Sequence, residues 1–330
     1  MHDVPKVIFV IGQTASGKSD FAVELASTLG SVVVCADAYQ VYREFSVASD
    51  KILPNQMQGV RHFGLDLVDP GTEFTVKSFL ELTVPIIDSE LNAGRSPIVI
   101  GGTHMYIEKL LFTSRIDKDY VPLEPSTEPR DYSFDHLEEI DPTMAKRLHA
   151  NDVRRWSRAI DYFYDTGNRM SEMLIAQKRE LRWKNVIVFE KKVNGPPDFM
   201  ERRIRDRIEE KMLTNNALKN ELVRIKFLVE SGRLRWKKGL LQAIGYKEFE
   251  EFVTLYLKHD DDGTISNYVY FDKGVEEMVR NTVRYSKKQV KWINKIKSYL
   301  EIFAVENFES NITLSLIHAH TSRVKLLPSW

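Results

Sequence analysis

Residues Gly12–Ser19 read GQTASGKS and carry the spacing G-x-x-x-x-G-K-[ST]. That spacing builds a cradle for phosphate. Gly12 and Gly17 let the backbone curl until its N–H groups converge on one anion, and a helix starting after Gly17 adds a partial positive charge. Gln13, Thr14, Ala15 and Ser16 complete the loop between the glycines. Lys18 can bridge phosphate oxygens, and the hydroxyl of Ser19 can meet Mg²⁺. The loop selects a di- or triphosphate and leaves open what that group is attached to.

Two further stretches place chemistry beside the loop. Asp37 closes the apolar run SVVVCAD. In a parallel sheet it stands at the carboxyl edge, where ligands bind. It could hold a metal through a water, serve as a general base, or cap a turn. The second stretch is IVIGGTHMY, Ile98 to Tyr106. Nucleotide hydrolases with this cradle often end such a strand in Asp or Glu, for a metal or a water. Here it ends in Gly101, Gly102 and Thr103. Two glycines permit close approach of a ligand, and Thr103 offers a neutral donor. That suits a leaving oxygen better than an attacking water. No N-K-x-D base-reading motif is present. Later, in RRIRDRIEEKM, Arg203 and Arg207 fall four apart on one helical face with Ile204 and Ile208 behind.

These residues need elements to hold them. VIFVI, SVVVCAD and SPIVIGG read as strands. The helix after the loop places Phe21, Ala22, Leu25 and Leu29 at helical spacing and stops at Gly30. Thr75 to Gly94 reads as a second helix, stopped by its glycine. Strand–helix alternation implies a parallel sheet with helices on both faces. Residues 114–135 hold three prolines and read as a linker, and 136–178 reads as mainly helical, with Asp141 as a cap and Gly167 as a stop. Trp183 to Glu190 returns to a strand, and PDFMERRIRDRIEEKML and Lys273 to Leu300 read as helices. The expected fold is α/β: a P-loop NTPase-like parallel sheet flanked by helices, formed by 1–115 and 181–330, with a mainly helical inserted domain at 116–180.

Composition narrows the functions. The chain has 330 residues, is 43% apolar and 28% charged, and has a formal net charge of zero. RNA binding would therefore rest on local basic patches. The single cysteine, Cys35, lies in the apolar run VVVC and reads as packing; no intrachain disulfide and no Cys/His zinc cluster can form. No apolar run approaches the roughly 18 residues that span a bilayer. MHDVPK lacks the basic start of a signal peptide. A cytoplasmic protein in no contact with membrane is expected.

One such patch is legible. From Met278 to Leu300 there are seven Lys or Arg and no acidic residue. At helical spacing Val275, Val279, Val283, Val290 and Ile293 fall on one side, and Arg280, Arg284, Lys287, Lys291 and Lys295 on the other. Such a face can track a phosphate backbone. Trp292 lies on one flank, where it can stack on a base or pack.

Taken together, GQTASGKS, ADAYQVYR, GVRHFGLDLVDP, FTVKSF, PIVIGGTHMYIEKLL, DPTMAKRLHANDVRRWSRAIDYF, RIRDRIEEKM, QAIGYKEF and RNTVRYSKKQVKW come in the order found in tRNA dimethylallyltransferases, and the chain resembles that family. The resemblance covers about Val7 to Ile296. It implies transfer of a dimethylallyl group from dimethylallyl diphosphate to N6 of the adenosine just 3′ of the anticodon in tRNA, with Mg²⁺. The cradle would then hold an isoprenoid diphosphate, and Arg207 would match the family's diphosphate arginine. Asp37 would accept the amino proton, and Thr103 would bond the bridging oxygen. The tRNA anticodon stem-loop would meet Asp37, Ala38, Tyr39 and Gln40, then Arg154, Arg155, Trp156, Ser157 and Arg158. It would also meet Gln242, Gly245, Tyr246 and Lys247, and Lys287, Lys288, Gln289, Lys291 and Trp292 of the basic helix. A monomer is expected. Gln13 stands where the family usually has Pro, and Ala38 where many members have Ser. Two other readings remain: an adenylate dimethylallyltransferase acting on free nucleotides, and a small-molecule kinase that would consume ATP.

Overall fold

Five consecutive apolar residues, Val7–Ile11, form β1 of the computed structural model, and all five are buried. The structure describes residues 4–113, 130–176, 180–196, 198–257 and 268–325. Among them the chain divides into two compact units, one from Met1–Leu111 and Trp183–Lys325, the other from Phe112–Arg182.

In the first unit β2 (Val33–Cys35), β3 (His62–Phe63), β4 (Ile98–Ile100), β7 (Val186–Lys191) and β8 (Phe303–Val305) join β1 in one sheet, ordered β3-β2-β4-β1-β7-β8. Every pairing is parallel. Successive residues of a strand face opposite ways, so a strand buried throughout is covered on both faces. That explains why these strands read as unbroken apolar runs. Helix α1 (Lys18–Leu29) turns Phe21, Ala22, Leu25 and Ala26 into one core with Ile8, Val10, Val33 and Ile98. It ends at Gly30, whose left-handed φ of 58° suits glycine. Helix α2 (Val76–Asn92) is capped by Thr75, whose hydroxyl accepts the Ser78 N–H at 3.2 Å. Helix α3 (His104–Leu111) follows β4 and buries Tyr106, Ile107, Leu110 and Leu111.

Register decides where the site lies. Val10 of β1 and Cys35 of β2 both pair with Ile100 of β4, so the three strands end level. The chain leaves β1 toward β2 on one side, and β7 lies on the other side of β1. The strand ends therefore open onto a switch point, the crevice where open α/β sheets bind ligands. Cys35 is buried, and burial pushes its thiol up to about 12. It is packing.

The C-terminal half builds a second core around Ile204, Ile208, Leu222, Ile225, Tyr246, Phe249 and Met278. Its helices are α8 (Phe199–Ile208), α9 (Ala217–Glu230) and α10 (Tyr268–Tyr299). The regular helix expected over 197–213 stops at Ile208 and widens into a π turn over Glu209–Leu213. Helix α10 begins earlier than expected, at Tyr268, and its buried stripe only partly follows the expected row. Val279 and Ile293 of that row are buried, together with Met278, Thr282, Ser286, Gln289 and Ile296, while Val275, Val283 and Val290 are half-buried. Polar residues occupy the middle of that stripe because they meet the loops at the strand ends rather than apolar core.

The second unit pairs β5 (Phe112–Thr113) with β6 (Glu180–Leu181) antiparallel. Its helices α4 (Phe134–Ile140), α5 (Pro142–Ala145), α6 (Val153–Thr166) and α7 (Met170–Ala176) pack around Leu137, Trp156, Ala159 and Ile160. Asp141 caps α5 through the Met144 N–H at 3.0 Å and also accepts the Ser171 N–H at 2.8 Å, and Gly167 stops α6. Most of the expected linker, 114–129, lies outside the described residues.

Gly101 is the tightest point of the sheet edge. A Cβ there would sit 2.1 Å from the Ala36 carbonyl oxygen. The Cβ is fixed by its own backbone and the oxygen belongs to backbone, so neither can swing aside. Gly101→Ala should destabilise the protein by about 1–3 kcal/mol. Urea unfolding checks this, and an unchanged midpoint and slope would contradict it.

Candidate active site

Three turns meet at the level strand ends. The first is Gly12–Ser19. A Cβ at Gly12 would lie 2.7 Å from the Lys191 carbonyl oxygen, so only glycine lets β1 turn here. Gly17, at φ 80°, starts α1 with no side-chain cap, which leaves the first-turn N–H groups for a ligand. Ser16 is buried, and its Oγ has no partner among the described residues. Lys18 Nζ donates to the Gln13 carbonyl at 2.5 Å. Burial, then the neighbouring Arg207 charge, lowers its pKa to about 8. A cation so disfavoured is poised to gain from an arriving anion.

The second turn carries Asp37. Its Oδ1 accepts the Tyr39 N–H at 2.9 Å. Burial raises its pKa, opposed by the backbone N–H groups of Tyr39, Gln40 and Gly102 and by the Lys18 charge. The third turn is Gly101–Thr103. The Ala38 N–H donates to Thr103 Oγ1 at 3.0 Å, which ties the second turn to the third. A Cβ at Gly102 would meet Gln289 Nε2 and Tyr285 OH, each at 3.1 Å. The glycine thus lets Asp37, Tyr285 and Gln289 crowd together.

Helix α10 holds the first and third turns in register. Gln289 Oε1 accepts the Thr14 N–H at 2.6 Å, and its Nε2 donates to the Gly102 carbonyl at 3.2 Å. Tyr285 OH donates to the same carbonyl at 2.5 Å, and Gln13 Nε2 donates to Ser286 Oγ at 3.2 Å. From α8, Arg203 Nε donates to the Ala15 carbonyl at 3.0 Å and Arg207 Nη1 to Thr14 Oγ1 at 2.9 Å. Ile204 and Ile208 are buried behind these arginines. All these turns line one cavity of about 860 Å³, together with Gln242, Lys247 and Met278. That volume suits an organic ligand.

The structure brings Asp37, Thr103, Arg207 and Thr14–Ser19 of the loop to this cavity, while Gly12 and Gln13 are not among its lining residues. It moves other expected contacts indoors. Gln289 is fully buried at the cavity wall, where it braces the turns. Tyr246 is fully buried with its OH on Glu221 at 2.6 Å, and Gly245 packs against Ala48, where a Cβ would lie 2.6 Å away. Trp156 is buried in the second unit, its indole N–H on the Ala150 carbonyl at 2.9 Å, and Ser157 Oγ donates to the Val153 carbonyl at 2.6 Å. Trp292 stacks on His104 with centroids 4.1 Å apart and donates to Glu108 Oε2 at 3.1 Å. Its packing option is the one realised. Arg154, Arg155 and Arg158 are exposed in the second unit, as are Gln242, Lys247, Lys287, Lys288 and Lys291 in the first. Ala38, Tyr39 and Gln40 are half-buried along the Asp37 turn.

Sequence reasoning missed Tyr285, Asp50 and His104. Asp50 Oδ2 pairs with Arg207 at 3.0 Å, and its Oδ1 pairs with Lys211 at 3.1 Å. His104 is driven to about 4 by burial and by the Lys18 charge, so it is a neutral ring. Tyr285 left a signal, its place one turn before Gln289; Asp50 left none.

Residues 40–296 match a family model described as IPP transferase, and residues 5–70 match one described as isopentenyl transferase. A tRNA dimethylallyltransferase of Bacillus cytotoxicus is 32% identical over 295 residues, covering 87% of this chain and 86% of that one. A tRNA dimethylallyltransferase of Bacillus mycoides is 31% identical over 309 residues, with 87% and 86% covered. Among solved structures, a eukaryotic dimethylallyltransferase acting on tRNA aligns with a TM-score of 0.75 at 27% identity, over 96% of this chain and 76% of that one. A tRNA isopentenylpyrophosphate transferase from Staphylococcus epidermidis shares the fold, with a TM-score of 0.58 at 24% identity, over 95% and 97%.

Gln289→Leu keeps the approximate size of the side chain but leaves the Thr14 N–H and the Gly102 carbonyl short of a partner. A loss of about 2–4 kcal/mol in stability is expected, about 1–3 for each buried group stranded, less what Tyr285 retains. Urea unfolding measures it. A loss below about 0.5 kcal/mol, the weak end of a single hydrogen bond, would show that the turns do not need this brace.

Proposed function

We propose that this chain, which belongs to the IPP transferase family, transfers the dimethylallyl group of dimethylallyl diphosphate to N6 of the adenosine 3′-adjacent to the anticodon in tRNA, releasing diphosphate. The observation that carries this reading is a half-buried carboxylate, Asp37, and a phosphate cradle facing one cavity with no acidic group on the Gly101–Thr103 turn. That arrangement offers a base for an amine and charge stabilisation for a leaving diphosphate.

In this mechanism the loop amides, Lys18 and Arg207 take the charge that develops as the carbon–oxygen bond breaks, a stabilisation that grows toward the transition state. Thr103 accepts the Ala38 N–H and still has a hydroxyl proton to donate, which we assign to the bridging oxygen. Asp37, oriented by the Tyr39 N–H, accepts the proton lost from N6 as the new carbon–nitrogen bond forms. The neutral His104 ring adds no charge to the site. The exposed Ser19 hydroxyl at the start of α1 is an oxygen donor of the kind that would hold a hard cation. Mg²⁺ held there would supply further charge neutralisation to the leaving group. Among the described residues no group of three His, Cys, Asp or Glu competes for it.

The exposed face of α10, with Arg280, Arg284, Lys287, Lys288, Lys291 and Lys295, is our candidate for the tRNA backbone. Arg154, Arg155 and Arg158 are the candidate of the second unit. We read the chain as a cytoplasmic monomer, since one chain supplies every group the transfer uses. No helix among the described residues is long and apolar enough to cross a membrane.

Incubation with dimethylallyl diphosphate and either tRNA or AMP, followed by nucleoside mass analysis, tests the reading. Modified adenosine in tRNA alone is expected, and modification of AMP alone would overturn it. Asp37→Asn should lower kcat by about 10²–10⁴ with tRNA affinity kept. Activity should fall as pH drops through the raised pKa of Asp37, because protonation removes the base. This acid limb should vanish in Asp37→Asn; its persistence would assign the base elsewhere. Replacing Lys287, Lys288 and Lys291 with Gln should flatten the plot of log tRNA affinity against log salt by about 0.7–0.9 for each of these lysines that meets a phosphate. An unchanged slope would remove this face from the tRNA site.

A further inference from the structure

Arg207 already has an anion. Asp50 Oδ2 lies 3.0 Å from its Nη1, and Asp50 Oδ1 lies 3.1 Å from Lys211 Nζ. The Asp50 charge also reaches Lys18, whose pKa it pulls upward. One carboxylate therefore sits in the field of three cations that line the cavity, Lys18, Arg207 and Lys211. It is three-quarters buried, and it lines the same cavity as the loop. The Nε of Arg207 is buried with no partner among the described residues, so the guanidinium is only partly satisfied by this pairing.

The position of Asp50 is built. Its turn is gripped by the buried Glu221 carboxylate, which accepts the N–H groups of Ser46, Val47 and Ala48 at 2.7, 2.9 and 3.2 Å. Gln40 Nε2 donates to the carbonyls of Ser49 and Asp50 at 3.1 and 3.2 Å. Next to it, Lys51 Nζ is fixed on Asp66 at 2.6 Å. Asp50 itself has φ 49°, a left-handed conformation that few non-glycine residues other than Asn and Asp adopt readily. A surface acid that merely met a passing arginine would need none of this.

We propose that Asp50 is a resident stand-in for the diphosphate. It holds Arg207 and Lys211 in place while the cradle is empty, yields Arg207 when the diphosphate enters, and reclaims it as the product leaves. The inference rests on the diphosphate reading of the cradle. Its consequence is that the wild-type protein binds the product more weakly than its cations alone would allow. Like charges facing one another across a partly buried site repel. Loss of the Asp50 charge should therefore tighten binding of inorganic diphosphate, whereas removing a merely structural residue would weaken it. In turnover the same tightening would slow product release, a step that limits many enzymes.

Calorimetric titration of inorganic diphosphate, at fixed Mg²⁺ and about pH 7 where Lys18 is still protonated, tests this on three proteins. Asp50→Asn removes the charge and keeps a residue that tolerates left-handed φ. Asp50→Gly suits the same backbone and removes the side chain altogether. Both should fold, and both should lower Kd about tenfold, or about 1.4 kcal/mol. Diphosphate affinity that is unchanged or weaker in both variants, with wild-type melting, would overturn the proposal while leaving the cradle assignment intact. Lys18→Ala provides the separate check on that assignment, since it should lose diphosphate binding. If the wild type binds no diphosphate, both readings fall.

Discussion

A single side-chain amide joins the parts of this site. Gln289 takes the Thr14 N–H on one side and gives to the Gly102 carbonyl on the other. The cradle and the glycine turn come from different strands, and neither backbone reaches the other by itself. The amide spans them because it offers a donor and an acceptor on one planar group. It can do so only from a helix running past the carboxyl edge of the sheet, and only from that helix's buried face. This fixes the rotation of α10. With Gln289, Ser286 and Thr282 turned inward, the lysines at 287, 288, 291 and 295 are turned outward. The same helix therefore braces the chemistry on one side and presents positive charge to solvent on the other.

Electrostatics within the cavity follow from that enclosure. Burial works against charge on both Lys18 and Asp37, lowering the lysine toward about 8 and raising the acid. The two shifts have opposite chemical value. A disfavoured cation gains from a diphosphate, and an acid of raised pKa is a better proton acceptor. Backbone N–H groups hold Asp37 in place, and Arg207 pairs with Asp50 on the cavity wall. The neutral His104 ring and the Tyr285 hydroxyl add polar lining without charge.

Much of this was legible in the sequence where one local rule governs a residue. The cradle spacing, the glycine stop at Gly30, the Asp141 cap and the unbroken apolar strands each follow from backbone geometry within a few residues. The basic face of α10 was legible because charge at period 3.6 needs no tertiary information. What the sequence hid is long-range. Val275, Val283 and Val290 look like the packing face of α10 by hydropathy, yet the inner stripe also includes Thr282, Ser286 and Gln289; the partners of Ser286 and Gln289 lie 187 to 275 residues away. Tyr246 and Trp156 sit in motifs that suggest contacts with a large partner, but aromatic rings in small units are core before they are surface. Asp50 could not be found at all, because its meaning depends on α8 delivering Arg207 to the same cavity.

In the proposed function a cradle built like those of nucleotide hydrolases serves alkyl transfer, with diphosphate as leaving group and no nucleotide consumed. The direct measurement is stoichiometry: tRNA and dimethylallyl diphosphate are incubated with the protein in the absence of any nucleoside triphosphate, and modified adenosine and released diphosphate are counted together. One diphosphate is expected for each adenosine modified, at a rate that added ATP does not increase. Modification that requires ATP, or that produces ADP in proportion to product, would contradict alkyl transfer at this cradle.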